Sequence, residues 1–477
     1  MTTASATARP RAAYSAPPVV NQLPLRYPDS RSPDAMRRRA WWLVGMNVLV
    51  PGSAQVLAGG RRLGRLGLVA TLTMWTLVLL AAVAALVWRS VVFTIVTNPF
   101  ALLIVQAVLI VYAALWVVLT VDTLRLVRLV RLRPGARIAV TAAATALLLV
   151  FSGGAAYAST VVGTARDTIG SIFGVGGPSV PPSDGYYNIL LLGADSGEGR
   201  DSMRPDSISV VSINADTGAA TITGIPRDMV GVPFSEGPMN DLFPNGYGGA
   251  ECSTAHCAMN EIFTEVNVLR DGEALYPDAA ATGSEPGIEA VKDAAAGLLG
   301  IDIPYFVLVD MNGFATMIDA LGGVEITVEQ RLPEGGGPSY PGQPAEDWAI
   351  GWIEPGTQVM DGDTAQWYAR SRYTTSDWDR MKRQRELQEA ILRQFTPANV
   401  LTRFQDVAAA GQNIVETDLP QSMLPYFAEL ALKTRELPIT TIELTPEGGV
   451  DPEEPDFAFI QQLVQQALHP PTPTPAA

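Results

Sequence analysis

Two groups of residues carry charge in a pattern that chemistry could use. The first is Asp195, Arg204, Asp206, Arg227 and Asp228; the second is Arg370, Arg372, Arg380 and Arg383, four arginines within 14 residues, with Gln384 beside them. Carboxylates next to several arginines suit phosphoryl transfer: the acids hold a hard cation such as Mg²⁺, and guanidinium forks grip phosphate oxygens and steady the charge that develops on them. The chain has no GxxxxGK(S/T) loop, GxSxG elbow, HExxH pair or strand-borne GxGxxG that would argue for another reaction class. The plainer alternative for either group is a set of surface salt bridges, individually weak.

These residues need elements to position them. Tyr187 to Gly193 (YNILLLG) is a continuous apolar run of the kind that forms a buried strand, and it runs directly into Ala194 and Asp195. After Arg204 and Asp206 come ISVVSI, the turn signal Ala215-Asp216-Thr217-Gly218, and ATITGIP leading to Arg227 and Asp228, which reads as a hairpin. A turn centred between Asp216 and Thr217 pairs Ile213 with Ala220 and sets Asp206 opposite Arg227. The late arginines straddle a helix end at Trp367 to Arg372, a polar loop, and a helix capped by Ser376 or Asp377. On that helix Arg380, Arg383, Gln384 and Leu387 share a face. Arg380 sits in the first turn, where the helix dipole disfavours a cation; an anion held between the exposed N–H groups and the arginines would reverse the penalty, and a pyrophosphate suits the forks. The competing expectation pairs Arg380 with Asp377 or Glu386.

The 477 residues divide sharply by charge. Met1 to Thr160 hold 16 Arg, no Lys and 3 acids, net +13, and the remainder is net −28, which argues against nucleic acid as a partner of the acidic part. Residues 1–35 read as a disordered arm and 469–477 as a disordered tail. Between 36 and 160 three uncharged stretches, 66–88, 100–121 and 138–160, are 22 or 23 residues long, enough to span a bilayer. A fourth, 41–60, is broken by Asn47, Pro51, Gly52, Ser53 and Gln55 and has arginines at both ends, so it reads as re-entrant or interfacial. The arginines at 125–137 keep that loop cytoplasmic, and three crossings place everything after Thr160 outside: a multi-pass plasma-membrane protein with an extracytoplasmic domain. Residues 161–186, rich in Gly, Pro and Ser, read as a linker, and 187–468 as one domain in which strand and helix signals alternate, the mark of a layered α/β architecture.

At these residues the sequence resembles the LytR–CpsA–Psr family of bacterial cell-wall glycopolymer ligases. The likeness runs from about Tyr187 to Phe404 through NILLLGADS, RPDSISVVSIN, ITGIPRDM, IDIPYFVLVDMNGFATMIDALGGVEITV, MDGDTAQWYARSR and DWDRMKRQ, in order. The resemblance implies an α/β domain with a central sheet, flanking helices and an apolar pocket for a polyprenyl tail. It also implies a Mg²⁺-dependent transfer of a glycopolymer from a polyprenyl (pyro)phosphate carrier onto peptidoglycan. Asp195 and Asp206 match the family's metal-binding acids. Arg204, Arg227, Arg370, Arg372 and Arg380 match its phosphate-binding arginines, with Asp228, Arg383 and Gln384 in accompanying positions, and Asp206 is favoured as the group that activates the acceptor hydroxyl. Two departures stand out: Arg204-Pro205-Asp206-Ser207 where Arg-Ser-Asp-Thr is common, and Pro238-Met239-Asn240 where a lysine contact is usual. A hydrolase using water as acceptor, or a non-catalytic membrane receptor, would carry the same residues.

Two Cys and two His exclude a disulfide-rich scaffold and a multi-histidine metal site. In a domain outside the membrane, Cys252 and Cys257 are expected to form a disulfide, an insertion resembling actinobacterial members; zinc with His256 lacks a fourth ligand. The aliphatic run Ile301 to Leu321 reads either as lining of the lipid pocket or as ordinary core.

Overall fold

The computed structural model describes residues 25–28, 30–173, 177–194, 202–394 and 415–470. Most of the expected arm, Asp195 and the last seven residues lie outside that set. The chain forms two compact units, one of residues 1–82 and 107–159, the other of 83–106 and 160–477.

The first unit is helical. Three helices are long and apolar enough to cross a membrane: Arg61–Val87, Pro99–Arg131 and Pro134–Phe173. They contain the three stretches expected as spans, save Trp88 at one end. The stretch 41–60 is broken as its composition dictates, into a helix Pro33–Leu49 and a short helix Ser53–Ala58. The break falls at Pro51 and Gly52, where Gly52 has φ +96° and a Cβ would stand 2.5 Å from the backbone of Leu68. The polar residues that interrupt it turn inward: Gln55 donates to Leu119 O (2.8 Å) and Thr123 Oγ1 (2.9 Å), and Asn47 to Thr120 Oγ1 (3.3 Å). The buried amide NH2 groups thus find partners on a neighbouring helix, while Asn47 Oδ1 and Gln55 Oε1 have none. One expectation is corrected here. The linker expected from Val161 is helical as far as Phe173, because Val161, Val162, Ile169 and Ile172 continue the helical period past the last uncharged stretch.

The second unit is built on a six-stranded mixed sheet in the order β10-β3-β2-β1-β4-β9. Its strands are β1 Tyr186–Ala194, β2 Pro205–Asn214, β3 Ala220–Ile225, β4 Tyr305–Asp310, β9 Val415–Thr417 and β10 Thr440–Glu443. The register of the β2–β3 hairpin is the expected one, with Ile213 opposite Ala220 and Ile208 opposite Ile225. Strand β1 lies between β2 and β4, and its apolar run is continuous because both faces are covered. Leu190 and Leu192 enter a core with helices Pro286–Leu299 and Phe457–Leu468, while Ile189 and Tyr187 pack with Leu419 and Leu430.

A smaller lobe, held by β5 Val324–Val328, β6 Leu332–Glu334, β7 Gly351–Ile353 and β8 Gly356–Met360, supports the helix Gly362–Arg370. Gly362 lets that helix start against the helix Met311–Leu321; a Cβ there would lie 1.9 Å from Ala315 O. Two buried ion pairs tie helices to the sheet. Lys292 reaches Asp418 (2.7 Å) and Glu289 (2.8 Å), and Asp418 also accepts from the Phe306 N–H of β4. Burial alone would lower the Lys292 pKa, but the two carboxylates outweigh it and raise it. Arg385 pairs with Glu443 of β10 at 3.4 Å, and the backbone of Gly224 passes so close that a Cβ would meet Glu443 Oε2 at 2.6 Å.

Candidate functional site

The open end of the hairpin does what its register requires. Ile208 and Ile225 are the last pair of the hairpin ladder, and the side chains two residues past them on either strand meet: Arg227 Nη1 lies 2.5 Å from Asp206 Oδ1. The other arm of Arg227 points to Asp377 (3.9 Å), which in turn binds Arg380 (2.9 Å). Charges therefore alternate along Asp206, Arg227, Asp377 and Arg380, two from the hairpin and two from the helix Asp377–Gln394. That helix starts on a reciprocal cap: Ser376 Oγ accepts from the Asp379 N–H (3.1 Å) and Asp379 Oδ2 from the Ser376 N–H (2.8 Å). The cap takes up the Asp379 N–H of the first turn, and it is arginine side chains that line the cavity beside it.

The cavity measures about 320 Å³ and is lined by Asp206, Arg227, Arg370, Arg372, Arg380 and Gln384, with Gly335, Gly336 and Tyr373 on its far wall. Four guanidiniums face it against the carboxylates of Asp206 and, behind them, Asp377. Arg380 is the most telling: its side chain is 6% exposed, and Nε has no hydrogen-bond partner, as is also true of Oε1 of the buried Gln384. Burial, and then the nearness of Arg227, push the Arg380 pKa below its ordinary value. Holding cations together in this way costs several kcal/mol unless an anion joins them. A ligand bearing two or more phosphate charges meets that requirement, and the unpartnered Arg380 Nε–H is a donor for one of its oxygens.

A second cavity, about 250 Å³ and apolar, opens from the first and shares Asp206, Met311, Ala369 and Gln384 with it. Leu191, Val211, Ile222, Phe314, Leu387 and Ile391 are among its walls. The aliphatic run Ile301 to Leu321 divides between the two roles it was read for: Val309, Met311, Phe314 and Met317 line this cavity, whereas Ile303, Phe306 and Ile318 are core.

Arg204 and Asp228 border a third cavity of about 680 Å³ that shares Asp206 and Arg227 with the first. Its rim includes the loop closed by the Cys252–Cys257 disulfide. Glu261 clamps that loop: Oε2 accepts from the His256 N–H (2.9 Å), Oε1 lies 3.4 Å from His256 Nδ1, and Arg204 approaches at 3.9 Å. Burial alone would raise the Glu261 pKa, but the donors from His256, Thr254 and Ala258 outweigh it and hold it below the usual carboxylate range.

Of the residues singled out by sequence, Asp206, Arg227, Arg370, Arg372, Arg380 and Gln384 converge on the arginine-lined cavity, and Arg204 and Asp228 lie on the adjoining one. Arg383 stands elsewhere: its guanidinium donates to Tyr368 O (3.0 Å), Ser371 O and Thr375 Oγ1 (3.2 Å), which fixes the end of the helix Gly362–Arg370 and the loop bearing Arg372. Sequence reading passed over Asp377 as a bridge between two site arginines, and over Gly335 and Gly336. The run Glu334-Gly335-Gly336-Gly337 was the available signal, since glycines bring backbone close to a ligand.

Comparison with known proteins decides what this arrangement belongs to. The LytR_cpsA_psr family profile matches residues 175–466. The chain belongs to the LytR_cpsA_psr family. Among its relatives are biofilm regulatory protein A of Streptococcus mutans (26% identical; 58% of this chain, 61% of the relative) and cell wall biosynthesis protein LcpA of Corynebacterium glutamicum (23%; 61% and 58%). A third is the polyisoprenyl-teichoic acid–peptidoglycan teichoic acid transferase TagU of Bacillus cereus (25%; 50% and 62%). The matches thus span about three fifths of these relatives' lengths. The family profile covers the whole sheet and all three cavities and begins after the last long apolar helix ends at Phe173.

Proposed function

We propose that this LytR_cpsA_psr protein is a membrane-anchored phosphotransferase that moves a glycopolymer from a polyprenyl (pyro)phosphate carrier onto peptidoglycan outside the plasma membrane. The observation that carries the reading is the junction of an arginine-lined cavity with an apolar one at Asp206. A lipid diphosphate has that division of chemistry: charge for the guanidiniums, hydrocarbon for the groove. The name of the TagU relative, a teichoic acid–peptidoglycan transferase, supports the same class of reaction, and that of LcpA supports a part in cell wall biosynthesis.

In this reading Arg227, Arg370, Arg372 and Arg380 hold the diphosphate oxygens and stabilise the charge that grows on them during displacement. Asp206, at the cavity junction, takes the proton of the acceptor hydroxyl as its oxygen attacks phosphorus and the lipid phosphate leaves. The donor set fits Mg²⁺, which binds through one or two carboxylates and fills its remaining positions with phosphate oxygens and water. Asp206 is such a carboxylate and Asp195 would be its partner by sequence. Among the described residues no cluster of three or more His, Cys, Asp or Glu offers the closed cage of a structural metal. When bound, the cation neutralises diphosphate charge.

The test uses the full chain in nanodiscs with Mg²⁺, a polyprenyl-diphosphate-linked oligosaccharide and peptidoglycan fragments, followed by mass spectrometry. A sugar–phosphate–glycan adduct is expected, reduced about 100-fold or more in Arg227→Ala and Arg380→Ala. Lipid phosphate release with water as sole acceptor would replace the transferase by a hydrolase, and binding without turnover would make the protein a receptor.

A further inference from the structure

The third cavity is larger than the other two and shares only Asp206 and Arg227 with the arginine-lined one; Arg204 is the other arginine on its wall. It shares a single lining residue, Asp206, with the apolar cavity, so among the described residues Asp206 alone borders all three. Its outer walls are of a different kind: Asp228, Asn260, His256, Trp378, Asp451 and Glu453. An indole beside hydrogen-bonding side chains is suited to a sugar, whose C–H face stacks on an aromatic ring while its hydroxyls seek carboxylates and amides.

We propose that this cavity seats the acceptor glycan, with Trp378 as its stacking face; the assignment rests on the phosphotransfer reading. With the lipid in the apolar cavity and its phosphates among the arginines, an attacking hydroxyl has to reach phosphorus from a side the tail does not fill. The third cavity meets the arginine-lined one at Asp206 and Arg227, the pair placed beside the reacting centre. Asp228, Asp451 and Glu453 also set the kind of sugar it receives: with Asp206 and Glu261 they outnumber Arg204 and Arg227 on the same walls, and that excess of carboxylate disfavours a phosphate-bearing donor chain and favours an acceptor that is neutral or carries free amino groups. In the group transfer itself, the acceptor O–H bond breaks with its proton passing to Asp206, the acceptor oxygen–phosphorus bond forms, and the bond from that phosphorus to the bridging oxygen of the lipid phosphate breaks with its electron pair.

The experiment measures binding of two probes to the full chain in detergent micelles: geranylgeranyl diphosphate for the donor side, and N-acetylglucosamine tetramer, together with its de-N-acetylated form, for the acceptor side. Trp378→Ala is expected to weaken the tetramer about tenfold and Trp378→Phe to restore most of it. Glu453→Gln is expected to erase the preference for the de-N-acetylated form. Diphosphate affinity should stay within about twofold of the parent in all three, since none borders the arginine-lined cavity. Tetramer binding indifferent to Trp378→Ala and Glu453→Gln overturns the proposal. So does a loss of geranylgeranyl diphosphate affinity in Trp378→Ala that matches the loss of tetramer, which would give the cavity to the donor. Failure of the phosphotransfer reading shows separately, as diphosphate affinity unmoved by Arg380→Ala.

Discussion

At the scale of single residues, Glu261 shows how an acid can serve the site without facing the phosphates. Its side chain is 2% exposed and its carboxylate is spent on the disulfide-closed loop. A carboxylate whose folded pKa is depressed contributes stability that is present above the unfolded value and is lost as pH falls through the folded one. Glu261→Gln is therefore expected to be about 2 kcal/mol less stable than the parent at pH 7, with the gap closing as pH drops below the ordinary glutamate range near 4.3. Thermal unfolding of both proteins from about pH 7 down to about pH 2.5 checks it, and a gap independent of pH would refute it. The contrast between Arg380 and Arg383 shows where sequence stopped. Three residues apart, both match motif positions, and both are buried; only the distance of Arg383 from the carbonyls of Tyr368 and Ser371 separates a structural cation from one that faces a ligand.

Elements tell a different story, because periodicity and turn chemistry are local. The Asp216–Thr217 turn set the hairpin register, and the register put Asp206 against Arg227. What no local signal carried is the meeting of the helix Asp377–Gln394 with that hairpin, which depends on the buried Arg385–Glu443 pair and on Gly224 making room for it. The helical continuation to Phe173 was missed for the opposite reason: the Gly, Pro and Ser of 174–185 made the whole of 161–186 read as linker, though the apolar period runs on as far as Phe173. Gly224→Ala should cost about 2–3 kcal/mol, since the methyl must displace a buried ion pair. Denaturant unfolding of the full chain measures this, and a change under about 0.5 kcal/mol would show that the helix and sheet are joined otherwise.

For the whole molecule, arginine distribution and the three long apolar helices lead to one expectation about sidedness. Exposed Glu346 and Arg133 provide the handles, because the only two natural cysteines are joined to each other. In intact cells Glu346→Cys should react with a membrane-impermeant maleimide, and Arg133→Cys only after permeabilisation. The reverse pattern would put the family domain on the cytoplasmic side and remove its access to peptidoglycan.

The alternating row Asp206, Arg227, Asp377 and Arg380 has a further effect on turnover. In an empty site of this kind two carboxylates already stand against the four guanidiniums, so a ligand does not simply add to bare cations; it shares them with resident counter-ions, much as an analyte competes with the bound ion on a resin. Competing with them for several guanidiniums at once calls for many phosphate oxygens, which a diphosphate has and a monophosphate lacks. On the phosphotransfer reading, the spent carrier is therefore the weaker competitor for the arginines, and the residues that grip the donor also help to expel what is left of it.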